Sequence, residues 1–355
     1  MKYLERKKIR TKRRVFSIIF ILILILFFLS LLEVGLRIFY PQTSSLLSKE
    51  DYIKANEKIT LYNPHLERDY SYTVITNSDN MRNSKEFSLN HTNPRIVLLG
   101  DSMAFGQGVE QEEMFSSLLE NNFKDLEVLN LAVPGTETAG YYSRLNQKGL
   151  KYNPDVVIVA LFMGNDLRMI GNITSDNFTI KYIPPKPLSL FLTRNVQSLK
   201  FLWRFFYQSK ITKPIANLLN VKTESNPVPL IIDDEEKLQQ SLELLDNNLK
   251  YFKESSEKNN FKLLFLIIPA REQVDKTKLR EYLENINPRY IEESRIRKDI
   301  INTLNKNKID YLDVTPDMQK LNINNTFYYS IDGHLNKEGH KLIARLLTKK
   351  LENEI

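Results

Sequence analysis

Asp155-Val156-Val157-Ile158-Val159-Ala160-Leu161-Phe162 is an unbroken apolar run behind a single acid. It is too short for a core helix and rich in β-branched residues, so it reads as a strand buried on both faces. Met163-Gly164-Asn165-Asp166 follows directly and reads as a turn at the strand's carboxyl end. Working outward, Ile96-Val97-Leu98-Leu99 and Val128-Leu129-Asn130-Leu131 are similar runs on the amino-terminal side. Leu263 to Ile268 and Tyr311 to Val314 are similar runs on the carboxyl-terminal side. Helical stretches lie between them, at Phe115 to Phe123, Thr138 to Gly149, the Leu238-Leu242-Leu245-Leu249-Phe252 stripe and Ile291 to Leu304. A last helix is expected from Asn336, its N-cap, to about Leu351. Apolar runs alternating with helices specify an α/β fold, a parallel sheet covered on both faces.

In such sheets ligands bind beyond the carboxyl ends of the strands. Gly100-Asp101-Ser102, Pro134-Gly135 and Gly164-Asn165-Asp166 all fall there. Ser102 is a candidate nucleophile; alone it reads as a helix N-cap after a strand. The sequence around it lacks the flanking glycines of a G-x-S-x-G elbow. His334 is the candidate base, and Asp332, with Gly333 between, is placed to orient its imidazole. The backbone N–H groups of Ser102 and Gly135 and the Asn165 carboxamide are candidate oxyanion donors. Taken singly, Gly135 is equally a turn glycine and Asn165 a strand-end cap. Arg271, just past the fourth strand, is a candidate substrate contact or a solvated strand-end arginine. His340, inside the last helix, reads as structural.

Residues 1–14 carry eight basic groups and one acid, which accounts for the whole net charge of +7. The balanced remainder does not argue for nucleic-acid binding. There are no cysteines, which excludes disulfides, thiolate metal sites and a lipidated cysteine. The four histidines show no ligand spacing, so no metal is expected. Val15 to Leu32 is uncharged and spans about 27 Å as a helix, close to the hydrocarbon thickness of a bilayer. The apolar character continues to Phe39, and Pro41 closes the helix. The basic cluster ahead of the span orients its amino terminus to the cytoplasm. No small-residue cleavage site follows, which favours an uncleaved anchor over a signal peptide. Glu33 and Arg37 lie four apart on one helix face, set to pair or to stand solvated.

The expected organisation is a basic cytoplasmic tail (1–14), a transmembrane anchor (15–40), a linker and β-rich lead-in (41–94) and a main domain (95–355). Residues 171–232, with Pro184-Pro185-Lys186-Pro187 and a basic aromatic stretch around Trp203, interrupt the rhythm as an insertion or cap. The segment Leu199 to Phe206 reads either as a helix packed within that cap or as one lying on the bilayer.

The serial blocks RIVLLGDS at Ser102, NLAVPG at Gly135, FMGND at Asn165 and DGHLNKEGH at His334 resemble those of the SGNH (GDSL-like) hydrolase superfamily. The resemblance covers about residues 72–350. VITNSDNMRN (74–83), GDSMAFGQGV (100–109), LKYNPDVVIV (150–159) and IIPAREQV (267–274) are similar to stretches of its membrane-anchored bacterial members. It implies a three-layer α/β/α, flavodoxin-like fold with a five-stranded parallel sheet. It also implies Ser102 as nucleophile, Asp332 and His334 completing a triad, an oxyanion hole from Ser102, Gly135 and Asn165, and no cofactor. Most SGNH esterases carry D-x-x-H; the D-x-H found here is similar to envelope-polysaccharide O-acetyltransferases of the superfamily. That spacing bears on how Asp332 orients His334 and favours acyl transfer over hydrolysis.

The expected protein is thus a single-pass protein of a bacterial inner membrane with its catalytic domain outside. It acts on ester groups, O-acetyl above all, of envelope glycans or small esters through a Ser102 acyl-enzyme. The competing readings are a catalytically silent glycan-binding domain and, from Gly106-Gln107-Gly108, a nucleotide-binding module. The latter lacks the third glycine and the downstream acid.

Overall fold

A computed structural model describes residues 2–41, 54–63, 69–171, 173, 196–208, 235–275, 277–279, 293–322 and 326–352. The chain divides into two units, Met1–Leu46 with Tyr182–Ser225 and Leu47–Lys181 with Asn226–Ile355.

The second unit is built on a parallel sheet. Its strands are β3 (Arg95–Gly100), β4 (Glu127–Asn130), β5 (Val156–Phe162), β6 (Lys262–Ile268) and β7 (Asp310–Asp313). They stand in the order β4-β3-β5-β6-β7, every pairing parallel. The apolar runs are continuous because each strand serves two cores. Ile96, Leu98, Val156, Ile158, Ala160, Leu264 and Leu266 point into one. Val97, Leu99, Val157, Val159, Leu161, Phe265 and Ile267 point into the other. The first core is closed by α3 (Phe115–Asn122), α10 (Thr315–Leu321) and α11 (Lys337–Leu351) through Phe115, Leu119, Met318, Ile343 and Leu347. The second is closed by α4 (Thr138–Arg144), α7 (Glu235–Asn259) and α9 (Glu293–Lys306) through Tyr141, Leu245, Phe252, Ile300 and Leu304. Each such side chain contributes about 1.5–3 kcal/mol on burial. The result is the three-layer α/β/α sandwich expected.

Because β3 lies between β4 and β5, the chain reverses its direction of travel across the sheet at β3, and that switch point opens a crevice at the strand's carboxyl end. Gly100 ends β3 in tight quarters: a Cβ there would stand 2.5 Å from the Ala104 methyl and 3.1 Å from that of Ala160.

The lead-in takes part in this body. β1 (Lys58–Tyr62) and β2 (Ser71–Ile75) form an antiparallel hairpin, and Leu61, Tyr70, Tyr72 and Val74 join the first core. The VITNSDNMRN stretch has a physical reason. Arg82, 1 % exposed, donates from its guanidinium to the carbonyls of Phe105 (2.8 Å), Gly106 and Val109 (2.7 Å). Burial holds it down at about 10, against the pull of neighbouring acids. Asn83 ties the same segment to β4 through Val128 O and Asn130 N.

Two helical expectations are refined. The stretch expected as one helix to Gly149 is α4 to Arg144 and then a wider turn, Leu145–Gly149, where Gly149 packs close to Leu131 and Val97. Asn336 caps α11 as expected, accepting from Glu338 N and Gly339 N.

The first unit contains α1 (Lys2–Phe39), of which Lys12–Phe39 is long and apolar enough to cross a membrane. It also contains α6 (Gln197–Gln208), drawn from the 171–232 segment. The proline-rich parts of that segment, Pro184 to Pro187 and Pro227 to Pro229, lie outside the described residues.

Candidate active site

Ser102 opens α2 (Ser102–Phe105), the turn of helix that follows β3. The N-cap reading of Ser102 does not hold, because Asp101 is the cap, its Oδ1 accepting from Met103 N at 2.9 Å. The Ser102 hydroxyl is thereby left for another partner. Its Oγ stands 2.9 Å from His334 Nε2, across 232 residues of chain.

His334 Nδ1 in turn lies 3.0 Å from Asp332 Oδ1. The short D-x-H spacing works because the carboxylate folds back on its own loop: Oδ1 also accepts the His334 backbone N–H at 2.9 Å. Gly333 makes this fold possible with φ of +77°, a region that costs a side-chain-bearing residue energy. The other oxygen, Oδ2, accepts from the Tyr70 hydroxyl. Tyr70 also accepts from Gln107 Nε2 at 3.2 Å, and its ring packs 4.6 Å from that of Tyr329.

The loop bearing Asp332 and His334 is held from several directions. Tyr329 N donates to His334 O and Asn336 N to Phe327 O, closing it as a narrow hairpin. Asp69 Oδ2 accepts from Ile331 N at 3.0 Å. Tyr328 donates to Pro269 O at 2.7 Å, and Tyr329 to Gly108 O at 2.7 Å. Arg271, at the start of α8 (Arg271–Val274), donates to the carbonyls of Ser330 (2.7 Å) and Tyr329 (3.3 Å). Its remaining donors, Nε and Nη2, go to Glu272 Oε1. The residue expected beside substrate therefore has its guanidinium engaged with the dyad loop.

Two further expected residues come to the same place. The Pro134-Gly135 turn is fastened to the end of β3, with Val133 N donating to Gly100 O at 2.9 Å. Asn165 occupies the N-cap position of α5 (Asp166–Met169) without capping it. Its Nδ2 instead donates to Asp101 Oδ2 at 3.2 Å, and its Oδ1 is buried with no hydrogen-bond donor among the described residues. Asp166 is turned away, accepting from Tyr141 OH (2.9 Å) and Phe162 N (2.9 Å).

The electrostatics at His334 set its burial against the charge of Asp332. Burial pulls the imidazole down, but Asp332, with Asp101 and Asp69 farther off, more than offsets this and holds it above its ordinary 6.5. Burial raises Asp332, yet the charge and hydrogen bonds of His334 and the Tyr70 hydroxyl bring it to about 2. Asp101, fully buried, rises to about 6, burial outweighing the Met103 amide, His334 and Asn165. Asp166 is pushed up by burial and by Asp101. His340 differs from His334: it is buried beside the Phe115 ring, accepts from Phe115 N at 3.2 Å, and is held at about 3.

A hydroxyl bonded to an imidazole whose far nitrogen is held by a carboxylate can pass its proton to the ring as the oxygen attacks a carbonyl. Residues 232–355 match a family model described as the SGNH hydrolase-like domain of the acetyltransferase AlgX. The matched segment holds the Asp332–His334 loop and Arg271, while Ser102, Gly135 and Asn165 lie ahead of it.

Among solved structures, the acetyl xylan esterase AlAXEase is 14% identical, covering 72% of this chain and 99% of its own, with a TM-score of 0.41. A putative lipolytic protein of the G-D-S-L family from Desulfitobacterium hafniense DCB-2 is 16% identical over 72% and 99%, TM-score 0.40. The acetylxylan esterase Axe2 from Geobacillus stearothermophilus is 9% identical over 74% and 96%, TM-score 0.41. At these scores the fold rests on the sheet order itself. No curated protein matches the chain in sequence.

Sequence reasoning missed Asp69 and Tyr70, and named Gln107 without a role at the site. The one signal ahead of the fold was the strand-like Tyr70-Ser71-Tyr72-Thr73-Val74, which says nothing of a partner 262 residues away.

Proposed function

We propose that this protein is a membrane-anchored serine esterase or O-acyltransferase acting on O-acetyl groups of envelope glycans. The reading is carried by the continuous chain Ser102 Oγ, His334 Nε2, His334 Nδ1, Asp332 Oδ1, with contacts of 2.9 and 3.0 Å. Ser102 attacks the ester carbonyl while His334 takes its proton. The Ser102 and Gly135 amides and the Asn165 carboxamide receive the developing oxyanion. Collapse releases the alcohol, protonated by His334, and leaves an acyl-enzyme. Water or a glycan hydroxyl, deprotonated by His334, then discharges it. Tyr70 and Arg271 act as positioning residues, one on Asp332 and the other on the loop backbone. No metal or organic cofactor enters the route.

The apolar helix Lys12–Phe39 supports the anchor. Its basic amino-terminal flank supports an orientation with that end in the cytoplasm and the catalytic unit outside a bacterial inner membrane. The family match to an acetyltransferase domain supports transfer to a sugar hydroxyl as the second step.

The test is Ser102→Ala against a chromogenic acetyl ester. We expect kcat to fall by at least ~10³-fold, as for loss of a nucleophile in a serine site. Unchanged turnover removes the enzymatic reading and leaves a glycan-binding domain. Trapping the acylated serine by mass spectrometry, then offering water or candidate glycans, separates hydrolysis from transfer.

A further inference from the structure

Glu33 is the first charged residue after the uncharged run Val15 to Leu32, so on a membrane-crossing α1 it stands at the outer edge of the hydrocarbon. Its carboxylate does more than meet Arg37, which donates to Oε1 at 2.8 Å. It also accepts the first amides of α6, Gln197 N at 3.0 Å and Ser198 N at 2.7 Å, and the Ser198 hydroxyl at 2.8 Å. The opening N–H groups of a helix have no partner within it and favour an anion, so α6 is capped by a residue of the span. Tyr40 packs edge-on against Phe201, whose ring stacks with Phe205.

The cap sets the depth of α6. A carboxylate sharing four donors cannot sink into hydrocarbon with its partners exposed to lipid, and α1 cannot rise without bringing its apolar run into water. The first turn of α6 therefore lies at the headgroup level. From there α6 presents Leu199, Leu202 and Phe205, spaced three apart along one side and 44%, 43% and 38% exposed. Large apolar groups exposed in a row on a helix held at an interface match one kind of partner, the acyl-chain boundary of the same leaflet.

We propose that α6 is an interfacial helix that lies on the outer leaflet. It is fastened to the transmembrane helix through Glu33 and buries Leu199, Leu202 and Phe205 among lipid. This rests on the anchor reading above. It assigns the 171–232 segment a membrane contact of its own, which limits how freely the span can tilt at its outer end.

The chain's single tryptophan, Trp203, lies in α6 and serves as reporter. The full-length protein is reconstituted into phosphatidylcholine–phosphatidylglycerol vesicles, with part of the lipid brominated either near the headgroup or deep in the chain. We expect at least two-fold quenching of Trp203 emission by the shallow bromines and less by the deep ones. Leu199→Ser/Leu202→Ser/Phe205→Ser should abolish the quenching while hydrolysis of a soluble acetyl ester is retained. Absence of quenching in protein that stays with the vesicles through an alkaline carbonate wash overturns the interfacial helix and spares the anchor. Emission shielded from both bromolipid and acrylamide also overturns it, by showing α6 packed against protein. Release of the protein by the wash overturns anchor and helix together.

Discussion

The two halves of the candidate site are made in different ways. The Ser102 half is local: β3 ends, Asp101 caps α2, and the hydroxyl projects at the sheet's switch point. The Gly135 turn and Asn165 reach it from the ends of neighbouring strands. The His334 half is a loop with little core of its own, held by side chains from far along the chain: Asp69, Tyr70 and Arg271. Strand ends are rigid because the strands are buried; the loop is rigid because its polar groups are satisfied. The first half therefore tolerates no change of backbone, and the second is sensitive to single hydrogen bonds at a distance.

That contrast breaks if a loop-side substitution at Asp332 proves mild. Asp332→Asn should lower kcat by ~10³–10⁴-fold, through loss of the imidazole's orientation and tautomer. Its pH profile carries a second signature. Neutral His334 is the active base, so activity rises with pH through its elevated pKa; removing the Asp332 charge should move that acid limb downward. A loss under tenfold with an unmoved limb removes Asp332 from the site.

On the strand-end side, Asn165→Ala should cost about 10²–10³-fold in kcat with KM little changed, the signature of a group that acts on the transition state. A change confined to KM makes Asn165 a ground-state contact instead.

Tyr70→Phe sharpens the comparison most directly, because it deletes one hydrogen bond delivered to the loop from the β-hairpin. A bond to a charged group is worth about 1.5–3 kcal/mol, so roughly tenfold or more in kcat is expected, with KM held. The acid limb should move slightly upward, since Asp332 without that donor is the stronger partner for imidazolium. No change in rate or profile reduces Tyr70 to packing.

The smallest effect is on stability. His340 is held at about 3 in the folded protein, below its ordinary 6.5, so the unfolded chain binds the extra proton. Its contribution is complete above pH 6.5 and is lost as pH falls toward 3, by at most about 1.4 kcal/mol per pH unit. His340→Leu should flatten the acid side of urea-melt stability between pH 7.5 and 5, at about 1 kcal/mol cost at all pH for the Phe115 amide it leaves unpaired. An unchanged pH slope shows that another group governs acid unfolding.

Much of this was legible before the fold. All five sheet strands follow apolar runs, and their ends lie within a residue or so of those runs; β3 and β5, buried throughout, have no exposed position to blur their limits. The residues that meet at the site fall where strand ends require. Less legible was which residue caps α2: Asp and Ser stand side by side and both are good caps, and only the packed turn selects Asp101 and leaves Ser102 to His334. Arg271 was legible as a residue near the site, but its engagement with Ser330 O and Glu272 depends on where the loop arrives. Glu33 and Arg37 were legible as a pair, while the amides of α6 that share the carboxylate come from 164 residues away.

By itself the amino-acid sequence determined the layered α/β sheet, the apolar amino-terminal helix and the kinds of chemical group at the carboxyl ends of the strands. Those depend on periodicity and side-chain type, which are local properties of the chain. Only the tertiary structure decided that a carboxylate two residues from its histidine serves it with one oxygen and is held by Tyr70 through the other. Such bonds join segments hundreds of residues apart, and their partners are chosen by packing, which no local pattern records.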